Sequence, residues 1–400
     1  SNNSLFLEKM PCLNTKICSV KKAIYLCPST YFRNKQTYII MKSLPLTLLT
    51  IICFLHFSLK AQKASNTKFD EILAKEFTIA GPGATALVAK NGKVIYKNAI
   101  GHANFELDVP MQVDNVFRIG SITKQFTAVA ILMLEEQGKL SLQDEITKYI
   151  EDYPTQGKTI TIEHLLTHTS GIKSYTNIPK FFGKAREDLT PMEVIDFFKG
   201  EEMEFDPGDQ WNYNNSGYFV LGAIIEKVTG ETYAKFIEEE LFAKVGMESS
   251  YYDSYPKIIP HRAAGYQMNE NGLKNADYLS TTLPYAAGSL LSTVEDLFKW
   301  NQAVKNHKLI SEASLKKAWT PYVLNSGEAT TYGYGWGIGK LQGTSSIEHG
   351  GGIFGYVTQG IYLPEEDIFV AVFSNCNGQS PEDAAKMMAA EAMGKPLYLF

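Results

Sequence analysis

Between Gly120 and Gln137 the chain contains neither glycine nor proline, and this stretch constrains the fold more than any other. It is apolar on almost every side, most clearly over residues 128–134, which predicts a helix buried inside a large protein. Ser121 stands at the start of that helix, where a serine hydroxyl can cap free backbone N–H groups. Lys124 follows on the same helical face, within reach of the Ser121 hydroxyl. A serine beside an amine at a helix N-terminus is typical of an activated nucleophile.

The Ser-x-x-Lys pattern is weak evidence by itself, because it occurs six times in this chain. The six serines are Ser19, Ser65, Ser121, Ser170, Ser254 and Ser314. Only the copy at Ser121 opens a long apolar helix, whereas the others lie near a targeting segment, in turns or on a short polar helix. The alternative interpretation of Ser121 is a plain helix cap with a solvated lysine nearby.

The distribution of charge argues against nucleic acid as a partner. The net charge is -5, but residues 1–60 carry eight Lys or Arg and one acidic residue, which leaves 30 basic and 42 acidic residues in the remainder. A body this acidic is not expected to bind nucleic acid, which is bound through basic surfaces. With 44% apolar and 20% charged residues the composition is that of a globular protein, and 400 residues permit one large α/β body with an inserted lobe.

The first 61 residues are predicted to lie outside the folded domain. Residues 1–40 show no usable periodicity and are interpreted as an upstream or non-native segment. Residues 41–61 have the features of a signal peptide, because Lys42 precedes the apolar residues 46–57 and a cleavage site near Ala61. This predicts an exported protein, periplasmic or secreted, with a mature domain over residues 62–400; a retained anchor is the alternative. Only Cys376 then remains of five cysteines, so the mature chain has no internal disulfide.

The mature chain shows strand patterns at both ends and helical patterns in its middle. A helix near residues 66–77 is followed by strand-like runs that flank Asn91-Gly92, a strong hairpin signal. Residues from about 140 to 285 are predicted to be mostly helical. Later strands are predicted at residues 333–338, 347–349, 357–363 and 367–373, and a last helix at residues 381–393. A helix from each terminus is then free to pack on one sheet.

A polar and aromatic loop at residues 211–218 supplies a second group of candidate residues, Tyr213 and Asn215. The loop follows a Pro-Gly turn and precedes a helix expected to begin at about Tyr218. A phenol can shuttle protons, and an amide can hold a substrate carbonyl. Because Tyr-x-Asn also occurs at Tyr96 and Tyr175, the alternative is a tyrosine that anchors the loop by hydrogen bonding.

A third group is the sequence Glu-His-Gly-Gly-Gly at residues 348–352, where a predicted strand meets consecutive glycines. Glycines at a strand edge let a ligand lie close to backbone N–H groups. This suits an oxyanion hole shared with the Ser121 N–H, in which each lost donor costs ~10²–10³ in rate. The alternative is a glycine-rich hairpin loop in which His349 is a surface residue.

In their order along the chain, Ser121-x-x-Lys124, Tyr213-x-Asn215 and His349-Gly350-Gly351 resemble the motifs of the serine β-lactamase and penicillin-binding-protein superfamily. The likeness is strongest to the branch of class C β-lactamases, D-alanyl-D-alanine carboxypeptidases and related esterases. It covers about residues 65–395, including residues 164–171 and 286–289. It implies a β-lactamase/transpeptidase-like fold. This is a mixed α/β fold of the α+β type. In that fold an antiparallel sheet is flanked by terminal helices, an all-helical lobe is inserted, and the site lies in the cleft between them.

The resemblance also implies a role for each candidate residue. Ser121 would be the acylated nucleophile and Lys124 its partner, whose pKa must fall by about 3 units from ~10.4 to accept a proton near pH 7. Tyr213 would pass the proton to the leaving group and assist the deacylating water. Asn215 would bind the acyl side chain. The N–H groups of Ser121 and Gly352 would hold the oxyanion, with Gly350 and Gly351 in the same substrate-binding segment.

His349 is a departure from the class C β-lactamases, which have lysine at the head of this motif. An imidazole is mostly neutral at pH 7, so weaker binding of a substrate carboxylate is expected. The predicted function is a serine hydrolase that acts on D-amino-acid peptides, β-lactams or small esters, with esters turned over faster than cephalosporins. The alternative is a non-catalytic relative that binds penicillin or peptidoglycan.

No cofactor and no metal are expected. His164 and His168 are four residues apart and could share a metal on one helical face, but no third ligand is evident. The expected partner is a small-molecule or peptide substrate. A membrane would be contacted only through an uncleaved signal segment, and the sequence does not indicate an oligomeric state.

Overall fold

The structure, a computed structural model, describes residues 66–397. The predicted upstream segment and signal peptide, residues 1–61, lie outside the described residues together with the first four cysteines. Cys376 is described and is a buried free thiol. Within residues 66–397 no helix has both the length and the hydropathy that a membrane span needs.

The secondary structure follows the predicted order of strands, helices and strands. In chain order the strands are β1 (Ala84–Lys90), β2 (Lys93–Ile100), β3 (His102–Asn104), β4 (Val109–Pro110), β5 (Phe117–Arg118), β6 (Tyr251–Tyr252), β7 (Tyr266–Asn269), β8 (Gly272–Asn275), β9 (Leu290–Ser292), β10 (Gly337–Leu341), β11 (Thr344–Ile353), β12 (Tyr356–Leu363), β13 (Ile368–Ser374) and β14 (Cys376–Asn377). In chain order the helices are α1 (66–76), α2 (Thr123–Glu136), α3 (Ile162–Leu166), α4 (Pro191–Phe198), α5 (Asn215–Thr229), α6 (Tyr233–Phe236), α7 (Ala243–Val245), α8 (Tyr285–Gly288), α9 (Val294–Lys305), α10 (Glu312–Ala318) and α11 (Pro381–Met393). A π-helical stretch, Ile237–Phe242, joins α6 to α7, and 3-10 turns cover Gly120–Ile122, Ile146–Lys148, Tyr175–Asn177 and Pro179–Lys184.

Six antiparallel strands form the main sheet, in the order β10-β11-β12-β13-β1-β2. Strand β1 lies between β2 and β13, with Ala84 opposite Ser374, so the two ends of the described chain meet in one sheet. The hairpin predicted at Asn91 and Gly92 is confirmed, and these residues have the positive φ angles, 52° and 71°, that a two-residue hairpin turn requires.

The two faces of the main sheet belong to two hydrophobic clusters, because successive side chains of a strand point to opposite faces. In β1, Ala86 and Val88 join a cluster with residues of α1 and α11, whereas Leu87 joins the larger cluster that contains α2. The predicted packing of a helix from each terminus on one sheet is therefore confirmed. Each buried Val or Leu side chain contributes about 1.5–3 kcal/mol to this packing.

Helix α2 is the buried helix that the sequence predicts. Every residue from Thr123 to Leu134 is buried, and α2 packs against α5 and α8. Phe126 stacks on Trp300 of α9 with the ring centroids 4.0 Å apart. The start of α2, which carries Lys124, is therefore enclosed by other elements.

Several boundaries differ from the sequence-based expectations. The mostly helical region at about residues 140–285 also contains the short strands β6, β7 and β8. Strand β11 extends beyond the predicted residues 347–349, because the glycines after His349 pair with β12. Strand β10 begins at Gly337 rather than residue 333, since residues 333–336 form a turn in which the Gly333 N–H donates to the Trp336 carbonyl.

Candidate active site

Ser121 lies in the 3-10 turn that leads directly into α2. Gly120 has a φ of +50°, a left-handed conformation that favours glycine. Ile122, not Ser121, occupies the N-cap position of α2, and no side chain accepts a hydrogen bond from the first N–H groups of this helix. The alternative interpretation of Ser121 as a plain helix cap is therefore wrong, and its hydroxyl is left to interact with Lys124.

Lys124 is completely buried beneath Ser121, and its Nζ has three oxygen partners. Nζ lies 3.2 Å from Ser121 Oγ, 2.8 Å from Asn215 Oδ1 and 2.9 Å from the carbonyl oxygen of Ala287. Within the described residues no carboxylate forms an ion pair with this amine. Burial holds the pKa of Lys124 well below its usual value.

The three partners determine what a neutral Lys124 can do. An ammonium would donate one N–H to each oxygen, whereas the neutral amine has two N–H groups and one lone pair. The Asn215 and Ala287 oxygens can only accept, so they take the two N–H groups. The lone pair of the neutral amine then faces the only partner that can donate, the Ser121 hydroxyl. This arrangement can remove the proton from Ser121.

Asn215 is the first residue of α5, and Asn214 caps that helix by accepting the Gly217 N–H at 2.8 Å. Because of this cap, α5 begins three residues earlier than expected. Asn215 Nδ2 donates to Thr176 Oγ1 at 3.1 Å while Oδ1 accepts from Lys124. The Asn215 amide therefore bridges Lys124 and Thr176.

The phenol of Tyr213 is buried beside Ser121 and Lys124. Its oxygen forms no hydrogen bond of good geometry with the described residues. Two effects act on the pKa of the phenol: burial raises it, and the nearby Ser121 hydroxyl lowers it. Burial is the larger effect and raises the pKa of Tyr213 well above its usual range. Lys124 Nζ lies 4.8 Å from the centre of the Tyr213 ring. The alternative of a loop-anchoring tyrosine is wrong, because the neutral phenol has no anchoring hydrogen bond.

His349 is buried in β11, and both of its ring nitrogens have partners. Nδ1 lies 2.6 Å from the Gly350 carbonyl oxygen, which can only accept, so Nδ1 carries the hydrogen. Nε2 then accepts from the Tyr332 hydroxyl at 2.8 Å. Burial is the main cause that lowers the pKa of His349 to about 3, and a proton on Lys124 acts in the same direction. The alternative of a surface histidine is wrong, and the imidazole is neutral at pH 7.

The three consecutive glycines of β11 lie against the turn that carries Ser121. Strand β10 pairs with β11 only as far as Glu348, so the glycines are paired on one side alone, with β12. A Cβ on Gly351 would overlap the Ile119 carbonyl oxygen, and a Cβ on Gly120 would lie 3.0 Å from the Gly352 nitrogen. Glycine is therefore required for this close approach, which places the Gly352 backbone beside Ser121.

Sequence reasoning missed three groups that hold the site together. These are the Ala287 carbonyl, the Thr176 hydroxyl and the Tyr332 hydroxyl. A backbone carbonyl carries no signal of residue type. Thr176 lies in a 3-10 turn and Tyr332 in a loop, and neither segment has a pattern that marks a site.

His168 supports Tyr213 instead of binding a metal with His164. Helix α3 ends at Leu166 and His168 has a φ of +62°, so the two histidines do not share a helical face. His168 Nδ1 accepts the Asn214 N–H at 3.1 Å, and its ring lies 4.4 Å from the Tyr213 ring, centroid to centroid. Over residues 66–397 no group of three or more metal-ligating side chains exists.

A pocket of about 410 Å³ opens beside Ser121, Asn215 and Gly352. Its apolar walls include Tyr175, Phe181, Phe182, Leu279, Leu283 and Phe354. This volume is within the range of small-molecule sites, about 300–1,000 Å³. The Ser121 hydroxyl therefore adjoins a space that a ligand can fill.

Known proteins are similar to most of this chain in sequence and in fold. The family model described as Beta-lactamase matches residues 69–393. Penicillin-binding protein 4* of Bacillus subtilis (strain 168) is 32% identical over 324 residues, which are 77% of this chain and 71% of that protein. The D-aminopeptidase of Gluconobacter oxydans (strain 621H) is 26% identical over 322 residues, 79% of this chain and 60% of the relative. Among solved structures, the octameric penicillin-binding protein homologue from Pyrococcus abyssi has a TM-score of 0.72 and 32% identity, covering 84% of this chain and 78% of the other.

Proposed function

The chain belongs to the Beta-lactamase family, and on that basis we propose that it is a serine hydrolase whose Ser121 is acylated by the substrate. One observation carries this proposal: the completely buried amine of Lys124 lies 3.2 Å from the Ser121 hydroxyl and has its pKa lowered by burial. A lysine held in this way is a general base rather than a cation that binds solvent or a carboxylate.

In the proposed acylation step, the Ser121 oxygen forms a bond to the substrate carbonyl carbon while its proton moves to Lys124. The carbonyl oxygen takes the negative charge, and the N–H groups of Ser121 and Gly352 stabilise it as an oxyanion hole. The tetrahedral intermediate then breaks the bond from carbon to the amide nitrogen, the lactam nitrogen or the ester oxygen. The leaving group takes up a proton, and the acyl group stays on Ser121.

Tyr213 is proposed to carry that proton to the leaving group and to orient the water that deacylates the enzyme. Its raised pKa makes it a neutral phenol, so it acts as a donor and relay rather than as a standing phenolate base. Its buried hydroxyl has no good hydrogen-bond partner within the described residues, so its hydrogen-bonding capacity is not committed to another part of the fold. Deacylation adds water across the ester of Ser121 and releases the acid.

The substrate classes that fit this chemistry are D-amino-acid peptides, β-lactams and small esters. A neutral His349 with both nitrogens engaged gives little help to a substrate carboxylate. We therefore expect p-nitrophenyl ester turnover to exceed nitrocefin turnover. A kcat/KM for nitrocefin matching that of an efficient β-lactamase would contradict this order.

A fluorophosphonate probe and a fluorescent penicillin test the acyl-enzyme directly. The fluorophosphonate is expected to label the protein stoichiometrically, and mass spectrometry should place the adduct on Ser121. The variant Ser121→Ala should not be labelled, whereas Ser314→Ala, which removes the serine of another Ser-x-x-Lys copy, should be labelled normally. Binding of penicillin without any covalent adduct would instead support a non-catalytic binding protein.

Export stays a prediction from the sequence of residues 41–61. The N-terminal sequence of the protein recovered from the periplasm or the medium would test it, with a start near residue 62 as the expected result.

A further inference from the structure

We propose that this site selects an uncharged, apolar acyl group, and that it discriminates against acyl groups that carry a carboxylate or a free amine. The inference rests on the proposed acyl-enzyme, because a pocket beside Ser121 can sort acyl groups only if Ser121 is acylated. It goes further than that proposal by naming the substrate's acyl chemistry and the residues that select it.

The walls of the pocket come from three separate segments and are apolar in each. Phe181 and Phe182 belong to the 3-10 turn Pro179–Lys184, Leu283 precedes α8, and Phe354 follows β11. The rings of Phe182 and Phe354 are nearly parallel, with a 10° angle between planes and 6.4 Å between centroids. An apolar wall therefore runs continuously from the helical region to the main sheet, beside the reacting hydroxyl.

The polar groups of the pocket are neutral. Of the described residues that line it, none is Asp, Glu, Lys, Arg or His, and the polar side chains besides Ser121 and tyrosine are Thr176, Asn215 and Asn377. A charged acyl group would therefore lose its hydration without gaining an ion pair, which is unfavourable. An apolar acyl group of the same shape loses no such hydration and gains contact with the walls.

The two basic groups nearest to Ser121 do not provide a partner for a carboxylate. All three positions around the Lys124 amine are filled by oxygens of the protein. His349 has both nitrogens in hydrogen bonds and lies outside the lining of the pocket. Both groups are buried, so neither presents a positive charge to the pocket.

Matched p-nitrophenyl esters test the preference for an apolar acyl group. We expect kcat/KM for the phenylacetate ester to exceed that for the acetate ester by at least about 10-fold after each is divided by its rate of spontaneous hydrolysis, since filling apolar pockets is worth factors of ~10–200 per group. The hydrogen succinate ester should be at least about 10-fold poorer than the 4-methylpentanoate ester, whose branched end has the shape of the carboxylate. Methyl phenylalaninate of either configuration should likewise be poorer than methyl 3-phenylpropanoate.

The variant Phe182→Lys tests whether this wall causes the selection. Phe182 is 52% exposed, so a lysine there can be tolerated by the fold while its charge reaches the rim of the pocket. The ratio of kcat/KM for hydrogen succinate to that for phenylacetate should rise at least about 10-fold. Phe105→Lys is the matched control, because Phe105 is also partly exposed, at 42%, and does not line the pocket. In Phe105→Lys the ratio of kcat/KM for hydrogen succinate to that for phenylacetate should equal the ratio in the unmodified protein.

The outcomes separate this inference from the proposed function. Labelling of Ser121 by the fluorophosphonate together with equal rates for the charged and uncharged esters, or with a Phe182→Lys ratio that does not move, would overturn the inference and leave the hydrolase proposal standing. Absence of labelling, with every ester turned over no faster than in buffer, would overturn the hydrolase proposal and the inference with it.

Discussion

The side chains of Lys124 and Asn215, 91 residues apart in the chain, are joined by a hydrogen bond of 2.8 Å. This contact connects the start of α2 to the start of α5 without any acidic residue. An amide oxygen can hold the amine in place but cannot stabilise its charge as a carboxylate would. The contact is therefore compatible with a neutral Lys124, which the proposed chemistry requires.

Lys124→Ala is expected to lower kcat/KM for p-nitrophenyl acetate by at least ~10²-fold, because it removes the proposed general base. Lys317→Ala is the matched control, since Lys317 occupies the same position in the Ser314 copy of the motif and forms an ion pair with Glu135. Steady-state rates at pH 7 would measure both. Near-normal turnover by Lys124→Ala would refute its assignment as the base.

The pH dependence of kcat/KM should also reflect the protonation of Lys124. Only the neutral amine accepts a proton, so activity is present above the pKa of Lys124 and lost as the pH falls below it. Because burial lowers this pKa far below its usual value, kcat/KM should have an acidic limb and no requirement for strongly alkaline conditions. The acidic limb should persist in His349→Gln, because His349 of the unmodified protein is already neutral over this pH range. A limb that disappears in that variant would assign the titration to the histidine.

Tyr213→Phe should separate activity from stability. The phenol oxygen has no good hydrogen-bond partner within residues 66–397, so its removal should leave the free energy of unfolding unchanged or slightly raised, while kcat falls ~10²-fold or more. Tyr332→Phe is the comparison, because it leaves His349 Nε2 unpaired and should cost about 1–3 kcal/mol of stability. Urea denaturation and ester hydrolysis would measure both quantities. Equal activity in Tyr213→Phe and the unmodified protein would exclude the proton relay.

Gly351→Ala and Gly352→Ala differ by one position but should behave differently. A Cβ on Gly351 would overlap the Ile119 carbonyl oxygen, whereas a Cβ on Gly352 would meet no atom within 4 Å. Gly351→Ala is expected to lose about 1–3 kcal/mol of stability and at least 10-fold of activity, because β11 must move away from the Ser121 turn. Gly352→Ala should keep its thermal stability. Equal melting temperatures for the two variants would contradict the close packing.

His349 should make the protein less stable as the solution becomes acidic. Its pKa is about 3 in the folded protein and ~6.5 in the unfolded chain, so between these values the unfolded state binds a proton that the folded state does not. The contribution of the neutral imidazole to the free energy of unfolding is complete above pH 6.5 and is lost as the pH falls toward 3. From pH 7 to pH 5 the unmodified protein should lose about 2 kcal/mol more of unfolding free energy than His349→Gln. Parallel losses in both proteins would show that the imidazole is not kept neutral by the fold.

Several elements could be predicted from the sequence because their signals are local. The run without glycine or proline after Gly120 predicts α2, Asn91-Gly92 predicts the hairpin of β1 and β2, and the pattern over residues 381–393 predicts α11. The resemblance of the three motifs to those of a known superfamily also implies the β-lactamase/transpeptidase-like fold, and the match to the family model confirms that expectation. For α2, the hairpin and α11 the residue types and their spacing are sufficient, because periodicity and turn preferences act over a few neighbouring residues.

Only the tertiary structure decided how the candidate residues are protonated and what surrounds them. Three of these surroundings are contacts between distant segments: the Ala287 carbonyl beneath Lys124, the Tyr332 hydroxyl that donates to His349, and the apolar wall around Phe182. Residue type does not encode them, because burial and hydrogen-bond geometry arise when separate elements pack together. The sequence alone therefore determined the fold and the set of candidate residues. Packing decided the charge of each group, since a buried ionisable side chain takes its pKa from its surroundings.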